Sequence, residues 1–129
     1  MAAFRTLMIA AAAIAALAAA APALAHPKLL STMPAAGETA TAPNRIALVF
    51  SEELIAPMSG LDLTMTAMPG MAHHAPMKVA GFKTDVGPDG KTLIATLPRA
   101  LPAGSYDAHW HAVSVDTHRV EGHFAFTVR

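Results

Sequence analysis

The chain has 129 residues, no cysteine, and nine basic side chains against nine acidic ones. The lack of cysteine excludes disulfides, thiolate metal sites and a cysteine nucleophile. The balanced charge offers no basic face for nucleic acid, so we expect no nucleic-acid partner. A chain of this length predicts a single small domain.

The first 25 residues have the pattern of a secretory signal peptide. Arg5 precedes an apolar run over residues 7–21, and Ala-Leu-Ala at 23–25 forms an A-x-A cleavage motif. The run is short for a bilayer span, which needs about 20 residues. We therefore expect export to the periplasm and a mature domain over residues 26–129 that begins with His26. An uncleaved membrane anchor is the alternative.

The rest of the chain predicts an all-β domain, because short alternating apolar runs are broken by glycine and proline. An edge strand is expected over 27–32 and a turn-rich connection over 34–43. Further strands are expected at 45–50, 61–65, 78–84, 93–97, 106–115 and 124–128. With one apolar face in most strands, the pattern favours an antiparallel sandwich or Greek-key barrel of about seven strands with very little helix.

The stretch over residues 65–77 has an unusual composition. It holds four of the chain's eight methionines together with two adjacent histidines. Pro69, Gly70 and Pro76 would interrupt any helix there, so helical core spacing does not explain the methionines. Several thioether sulfurs on one loop suit Cu(I) far better than zinc or calcium. The alternative is that these methionines are flexible core fillers.

The expected mature N-terminus indicates a second kind of metal site. The free α-amine of His26 and its own Nδ1 can chelate a metal ion, and an α-amine ionises near neutral pH. Pro27 has no amide proton, so copper cannot bind that backbone nitrogen. Asp116 and His118, on the bend after the 106–115 strand, add a carboxylate and an imidazole. Nitrogen and oxygen donors of this type suit Cu(II).

Four stretches resemble the CopC (also called PcoC) family of periplasmic copper-resistance proteins: His26-Pro27-Lys28-Leu29, Phe50-Ser51-Glu52, the methionine loop at 65–71, and residues 106–118. The resemblance covers nearly all of residues 26–129. It implies a small cupredoxin-like, Ig-like β-barrel that binds Cu(II) at one end and Cu(I) at the other. The implied Cu(II) ligands are His26, Asp116 and His118, with Glu52 as a weaker oxygen contact.

The Cu(I) ligands implied by the resemblance are Met65, Met68, Met71, Met77 and one histidine. The family spacing Met-x-His-x-x-Met is lengthened here by one residue. His73 keeps the family distance to Met71, whereas His74 keeps the distance to Met77. We favour His73 and leave His74 as the alternative.

Several other polar and methionine side chains need an interpretation. His109 and His111 point to the same side of their strand and form either an extra site for Cu(II) or zinc, or two solvated side chains, which we favour. We interpret His123 as structural and Glu53 and Asp107 as solvated. Met33 and Met58 are expected to pack.

The expected function is that of a non-enzymatic copper carrier or buffer for resistance, homeostasis or delivery. By the resemblance, it would pass copper to a CopD-like inner-membrane transporter or a CopA-like multicopper oxidase, and a copper-bridged dimer remains an alternative. The competing function is a copper mono-oxygenase with an N-terminal histidine brace formed by His26 and His118. Its weakness is that Asp116 would occupy a copper position and that one Tyr and one Trp leave no platform for a polysaccharide. A blue-copper electron carrier is excluded because it needs a cysteine.

Overall fold

A computed structural model describes residues 26–71 and 75–129, which form a β-sandwich of two sheets. The predicted signal peptide, the alternative membrane anchor, His73 and His74 lie outside the described residues. The strands are β1 Leu29–Met33, β2 Thr39–Ala40, β3 Arg45–Phe50, β4 Gly60–Ala67, β5 Met77–Val79, β6 Lys83–Val86, β7 Thr92–Thr96, β8 Gly104–Val113 and β9 Arg119–Val128.

The helical content of the described residues is a single 3-10 turn over Ala56–Met58. None of the helical structure within 26–71 and 75–129 is long and apolar enough to span a bilayer. The all-β prediction is therefore confirmed. The strand count exceeds the expected seven because β2 and β5 are short segments of two and three residues.

The longest strands lie in the centre of the larger sheet. Its order is β2-β9-β8-β4-β5, and the smaller sheet has the order β1-β3-β7-β6. All neighbours pair antiparallel except β2 and β9, which run parallel. β8 pairs with β4 on one side and with β9 on the other along most of its length. It is therefore a rigid strand that runs from one end of the sandwich to the other.

The core follows the alternation in the sequence. The side chains that share the inner face of β8 are all at most 7% exposed, namely Tyr106, Ala108, Trp110 and Ala112. Ile46, Leu48 and Phe50 of β3 face them and are almost completely buried. Burial of these apolar faces, worth about 25 cal/mol per Å² removed from water, stabilises the sandwich.

The prediction of one strand over 78–84 is wrong, because the chain changes sheets in the middle of it. Met77–Val79 pairs with β4 in the larger sheet, whereas Lys83–Val86 pairs with β7 in the smaller one. Gly81 lies between them with a φ of 81°, in the left-handed region that side chains rarely adopt. The connection over 34–43 is turn-rich as expected, but it also contains β2.

Gly122 on β9 lies against the indole ring of its partner on β8. A Cβ added to Gly122 would lie 2.4 Å from Trp110 Cζ2. The indole also packs edge-to-face against Phe50, with ring centroids 5.1 Å apart. We expect Gly122→Ala to lower the free energy of unfolding by about 1–3 kcal/mol, since overpacking displaces a core side chain. Urea denaturation should show this loss, with the exposed Ala125→Ser as the control; equal stability of the two variants would contradict the expectation.

Candidate metal centres

The segment that begins at His26 is anchored to the end of β3. The Pro27 side chain is fully buried. The Lys28 N–H donates to Ser51 Oγ at 2.9 Å, and the Ser51 N–H donates back to the Lys28 carbonyl at 2.9 Å. This pair of hydrogen bonds fixes the exposed His26 next to the residues that follow β3, of which the half-buried Glu52 is one.

The residues that follow β3 are in turn joined to the end of β8. The Ile55 N–H donates to the Val113 carbonyl at 2.8 Å, and the Val115 N–H donates to the Glu53 carbonyl at 3.0 Å. The N-terminus, the residues after β3 and the residues after β8 are therefore held at one end of the sandwich by backbone hydrogen bonds.

A tight turn follows β8 and presents two of the predicted ligands. The Ser114 N–H donates to the His118 carbonyl at 3.0 Å, and the Thr117 N–H donates to the Ser114 carbonyl at 2.8 Å. Thr117 has a φ of 71°, which closes the turn. As a result, His118 Nδ1 lies 3.1 Å from Asp116 Oδ2. An Nδ1–H that donates to the carboxylate leaves His118 Nε2 available to a metal ion.

Three of the predicted Cu(II) ligands lie together at this end of the sandwich. The rings of His26 and His118 have centroids 4.4 Å apart at an interplanar angle of 60°. The Asp116 and His118 side chains are 37% and 34% exposed, so they are accessible to a metal from solvent. Two imidazoles and a carboxylate are nitrogen and oxygen donors that fit a Cu(II) ion. That these residues bind copper remains a prediction.

A buried hydroxyl that the sequence analysis missed supports this turn. Ser114 is only 1% exposed, and its hydroxyl donates a hydrogen bond to Asp116 Oδ1. This bond, followed by the one from His118, holds the pKa of Asp116 below its ordinary value of 3.8. The carboxylate is therefore charged well into the acidic range. A serine two residues before the aspartate was the available signal in the sequence.

Removal of this hydroxyl should raise the pKa of Asp116. Stability from a carboxyl whose pKa is depressed by folding is present above the unfolded value and lost as pH falls through the folded one. In the metal-free protein we expect Ser114→Ala to raise the pKa of Asp116. The pH interval between its folded and unfolded pKa values then becomes narrower. Carboxyl-carbon NMR titration measures it. Asp89, whose pKa is lowered chiefly by Thr92, is the internal control; an unchanged Asp116 midpoint would contradict the assignment.

The methionine loop follows directly after the last residue of β4, Ala67. Met68 and Met71 close a four-residue turn, in which the Met71 N–H donates to the Met68 carbonyl at 2.9 Å and Gly70 takes a φ of 77°. Their side chains are 37% and 55% exposed. The turn thus carries two accessible methionines on residues whose backbones are hydrogen-bonded to each other.

The other two methionines that are predicted to bind Cu(I) lie opposite each other on β4 and β5. Met65 pairs with Met77 in the register of these strands. Met77 is 50% exposed, whereas Met65 is 5% exposed and belongs to the hydrophobic core. Both line an apolar pocket together with Leu97 and Tyr106. Three of the predicted Cu(I) ligands are therefore accessible from solvent, and the sulfur of Met65 is on the inner side of the same region.

The two groups of predicted ligands lie at opposite ends of β8. Ser105, near its start, pairs with Ala67, directly before the methionine turn. Val113, at its end, is followed by the turn that carries Asp116 and His118. The ten residues of β8 span roughly 30 Å at about 3.3 Å per residue. The sulfur donors and the nitrogen and oxygen donors therefore cannot bind one ion within a single chain.

Comparison with known proteins places the chain in a family. The sequence model of the CopC domain family matches residues 29–129. Copper resistance protein C from Xanthomonas campestris pv. juglandis is 46% identical over 129 residues, the whole of both chains. The Escherichia coli protein of that name is 47% identical over 107 residues, which are 83% of this chain and 84% of the relative.

A solved structure agrees with these relatives. PcoC from Escherichia coli, described as a methionine-rich copper resistance protein, is 45% identical and superposes with a TM-score of 0.73. The match covers 81% of this chain and all of PcoC. The fold, the family model and the identity over nearly the whole domain agree, and the chain therefore belongs to the CopC family.

Proposed function

We propose that this protein is an exported copper carrier or buffer with separate sites for Cu(II) and Cu(I). One observation carries the proposal: nitrogen and oxygen donors gather at one end of β8 and thioethers at the other. Donors of opposite softness favour different oxidation states of copper. The curated relatives are named copper resistance proteins, which supports copper as the metal.

The Cu(II) site consists of His26, Asp116 and His118, with Glu52 as a further oxygen donor. Signal-peptide cleavage after residue 25 converts the His26 nitrogen from an amide into an α-amine that can ligate. The amine, the two imidazoles and the Asp116 carboxylate then supply four donors, which suits the tetragonal preference of Cu(II). The depressed pKa of Asp116 keeps this carboxylate available as an anion.

The Cu(I) site uses the thioethers of Met68, Met71 and Met77, with Met65 at its inner side. His73 adds an imidazole, with His74 as the alternative. Neutral thioethers retain a soft monovalent ion without a proton release, so Cu(I) binding at this end should be less sensitive to pH than Cu(II) binding at the other.

Both sites face solvent, which supports a role in transfer rather than in catalysis. The half-exposed methionines and the accessible His118 allow a partner to approach the metal directly. The competing histidine-brace oxidase would need a surface on which a polysaccharide stacks. The chain's single Trp and single Tyr, Trp110 and Tyr106, are 7% and 1% exposed and lie in the core. This placement favours a carrier.

The location and the partners follow from the same proposal. The signal-peptide pattern of residues 1–25 supports a periplasmic protein. Candidate acceptors or donors of the copper are a CopD-like inner-membrane transporter and a CopA-like multicopper oxidase. A copper ion shared between the methionine loop of one molecule and the His26 site of another would give a bridged dimer.

Separate titrations with Cu(II) and with Cu(I) test the function, on protein that starts at His26. We expect one tightly bound ion of each oxidation state, with both retained when they are added together. His118→Ala should weaken Cu(II) alone. A total of one copper ion per protein, for which Cu(I) and Cu(II) compete, would contradict the proposal. Copper-dependent cleavage of chitin or cellulose in the presence of a reductant would favour the oxidase.

A further inference from the structure

A cluster of two histidines and an aspartate lies on the solvent-facing side of the larger sheet, in the middle of β8. His109 pairs with His123 in the register of β8 and β9, and their rings stack with centroids 5.2 Å apart. Asp107 lies beside both: its Oδ2 is 3.1 Å from His109 Nε2, and its Oδ1 is 3.6 Å from His123 Nδ1. One ligand atom from each residue lies within 4.8 Å of the other two.

The cluster is not the pair that the sequence indicates. His109 and His111 point to the same side of β8, but their rings lie over different neighbouring strands. His109 stacks on His123 of β9, whereas a Cβ added to Gly60 of β4 would lie 2.9 Å from His111 Cε1. The partner of His109 is therefore His123 across the strand pair.

Asp107 is less solvated than the sequence predicts. Its side chain is 29% exposed, and its Oδ1 is buried without a hydrogen-bond partner. A buried carboxylate oxygen that lacks a donor is destabilising, unless a cation or a donor reaches it. This oxygen faces the ring of His123 at a distance too long for a hydrogen bond.

We propose that Asp107, His109 and His123 form a third metal site, which binds a borderline divalent cation such as Zn(II), or Cu(II) more weakly than the His26 site does. Two imidazoles and one carboxylate are nitrogen and oxygen donors that both ions accept. With three protein ligands, the ion keeps an open position for water. The cluster offers only nitrogen and oxygen donors, which suit a divalent ion better than Cu(I).

The geometry needs little rearrangement to bind such an ion. Donors at about 2.0–2.1 Å around a tetrahedral metal lie roughly 3.4 Å apart. The His109 and His123 side chains are 62% and 68% exposed, so their rings can rotate by the small amount required. Ring rotation draws the donors together while the paired strands remain fixed.

The surrounding charges do not oppose a cation. Arg119, which lines the same depression, is paired with Glu121 on its own strand. Asp62 on β4 pairs with His109 in register, and its carboxylate at the edge of the cluster is 4.0 Å from Lys78 Nζ. Each of the two neighbouring cations is therefore matched by a carboxylate, and Asp107 leaves the local charge neutral to negative.

The site is independent of the two copper sites of the proposed function. It uses none of their residues, and it does not need the free amine of His26. It can therefore be tested on the purified protein with or without residues 1–25, and its failure would leave the function of the two ends of β8 unaffected.

Histidine ring nitrogens observed by NMR during a Zn(II) titration test the site. We expect the ring signals of His109 and His123 to shift together along one saturation curve, whereas those of His111 do not follow it. His123→Gln and Asp107→Asn should each weaken this binding by about tenfold or more, because loss of even an outer-shell partner costs 10–100-fold. His111→Gln is the matched control on the same strand and should bind Zn(II) like the parent protein.

Two results would overturn the proposal. One is the absence of any shift of the His109 and His123 rings at saturating Zn(II) in the parent protein, which needs no variant. The other is an equal loss of affinity in His111→Gln and His123→Gln, which would assign the site to the two histidines of β8. Unchanged melting temperatures of the variants verify that the fold is intact.

Discussion

A protein that keeps the whole leader, residues 1–25, before His26 is expected to bind Cu(II) about 100-fold or more weakly, since it loses a ligand outright. The leader turns the α-amine of His26 into an amide, whose proton copper must displace before that nitrogen can ligate, and it places the new α-amine 25 residues away. The buried Pro27 and the hydrogen bonds between Lys28 and Ser51 keep the His26 ring in place, so that the amine alone is changed.

One further variant separates the amine from the imidazole. His26→Ala keeps the free amine but removes the ring that contacts His118, and we expect a loss of similar size. Cu(I) affinity is the control in each protein and should stay within a factor of about two, because the methionine loop lies roughly 30 Å away. Chelator competition at fixed pH measures both ions. Equal Cu(II) affinity of the extended and the processed protein would remove His26 N from the ligand set.

Replacement of Met68 and Met71 by leucine is expected to weaken Cu(I) binding by about tenfold or more, because loss of even an outer-shell partner of a metal ligand costs at least that much affinity. Leucine conserves volume and is tolerated at half-exposed positions, so the fold should persist. The turn is held by backbone hydrogen bonds and by Gly70, neither of which the substitutions remove.

The control for the methionine substitutions is Met33→Leu. Met33 does not pack as the sequence predicts: it is 66% exposed on β1 of the smaller sheet. It is therefore an accessible methionine outside the loop. This variant should bind both ions like the parent. Cu(I) and Cu(II) affinities that fall together in Met68→Leu/Met71→Leu would mean one shared site instead of two.

The fold could be predicted from the sequence wherever a strand has one buried face. Ile46, Leu48 and Phe50 alternate with more polar positions, and the structure buries all three. The prediction failed over 78–84, where β5 and β6 belong to different sheets. Pairing is decided there by the left-handed turn at Gly81 and by contacts with distant strands, which local alternation does not contain.

The candidate site could be predicted in its chemistry but not in its supporting contacts. His26, Asp116 and His118 have donor types that the sequence displays directly, and the structure brings them to one end of the sandwich. Ser114 was missed because its role depends on its burial beneath the turn. The pairing of His109 with His123 was missed because it depends on the register of β8 against β9.

The central claim is that copper in its two oxidation states occupies different ends of β8. X-ray absorption spectroscopy of the processed protein, loaded in separate samples with one Cu(I) and with one Cu(II), tests it most directly. We expect sulfur neighbours around Cu(I) alone and nitrogen and oxygen neighbours, with imidazole, around Cu(II). Met68→Leu/Met71→Leu should remove sulfur from the Cu(I) environment and leave the Cu(II) spectrum unchanged. Sulfur bound to Cu(II), or a Cu(I) environment without sulfur in the parent protein, would contradict the account.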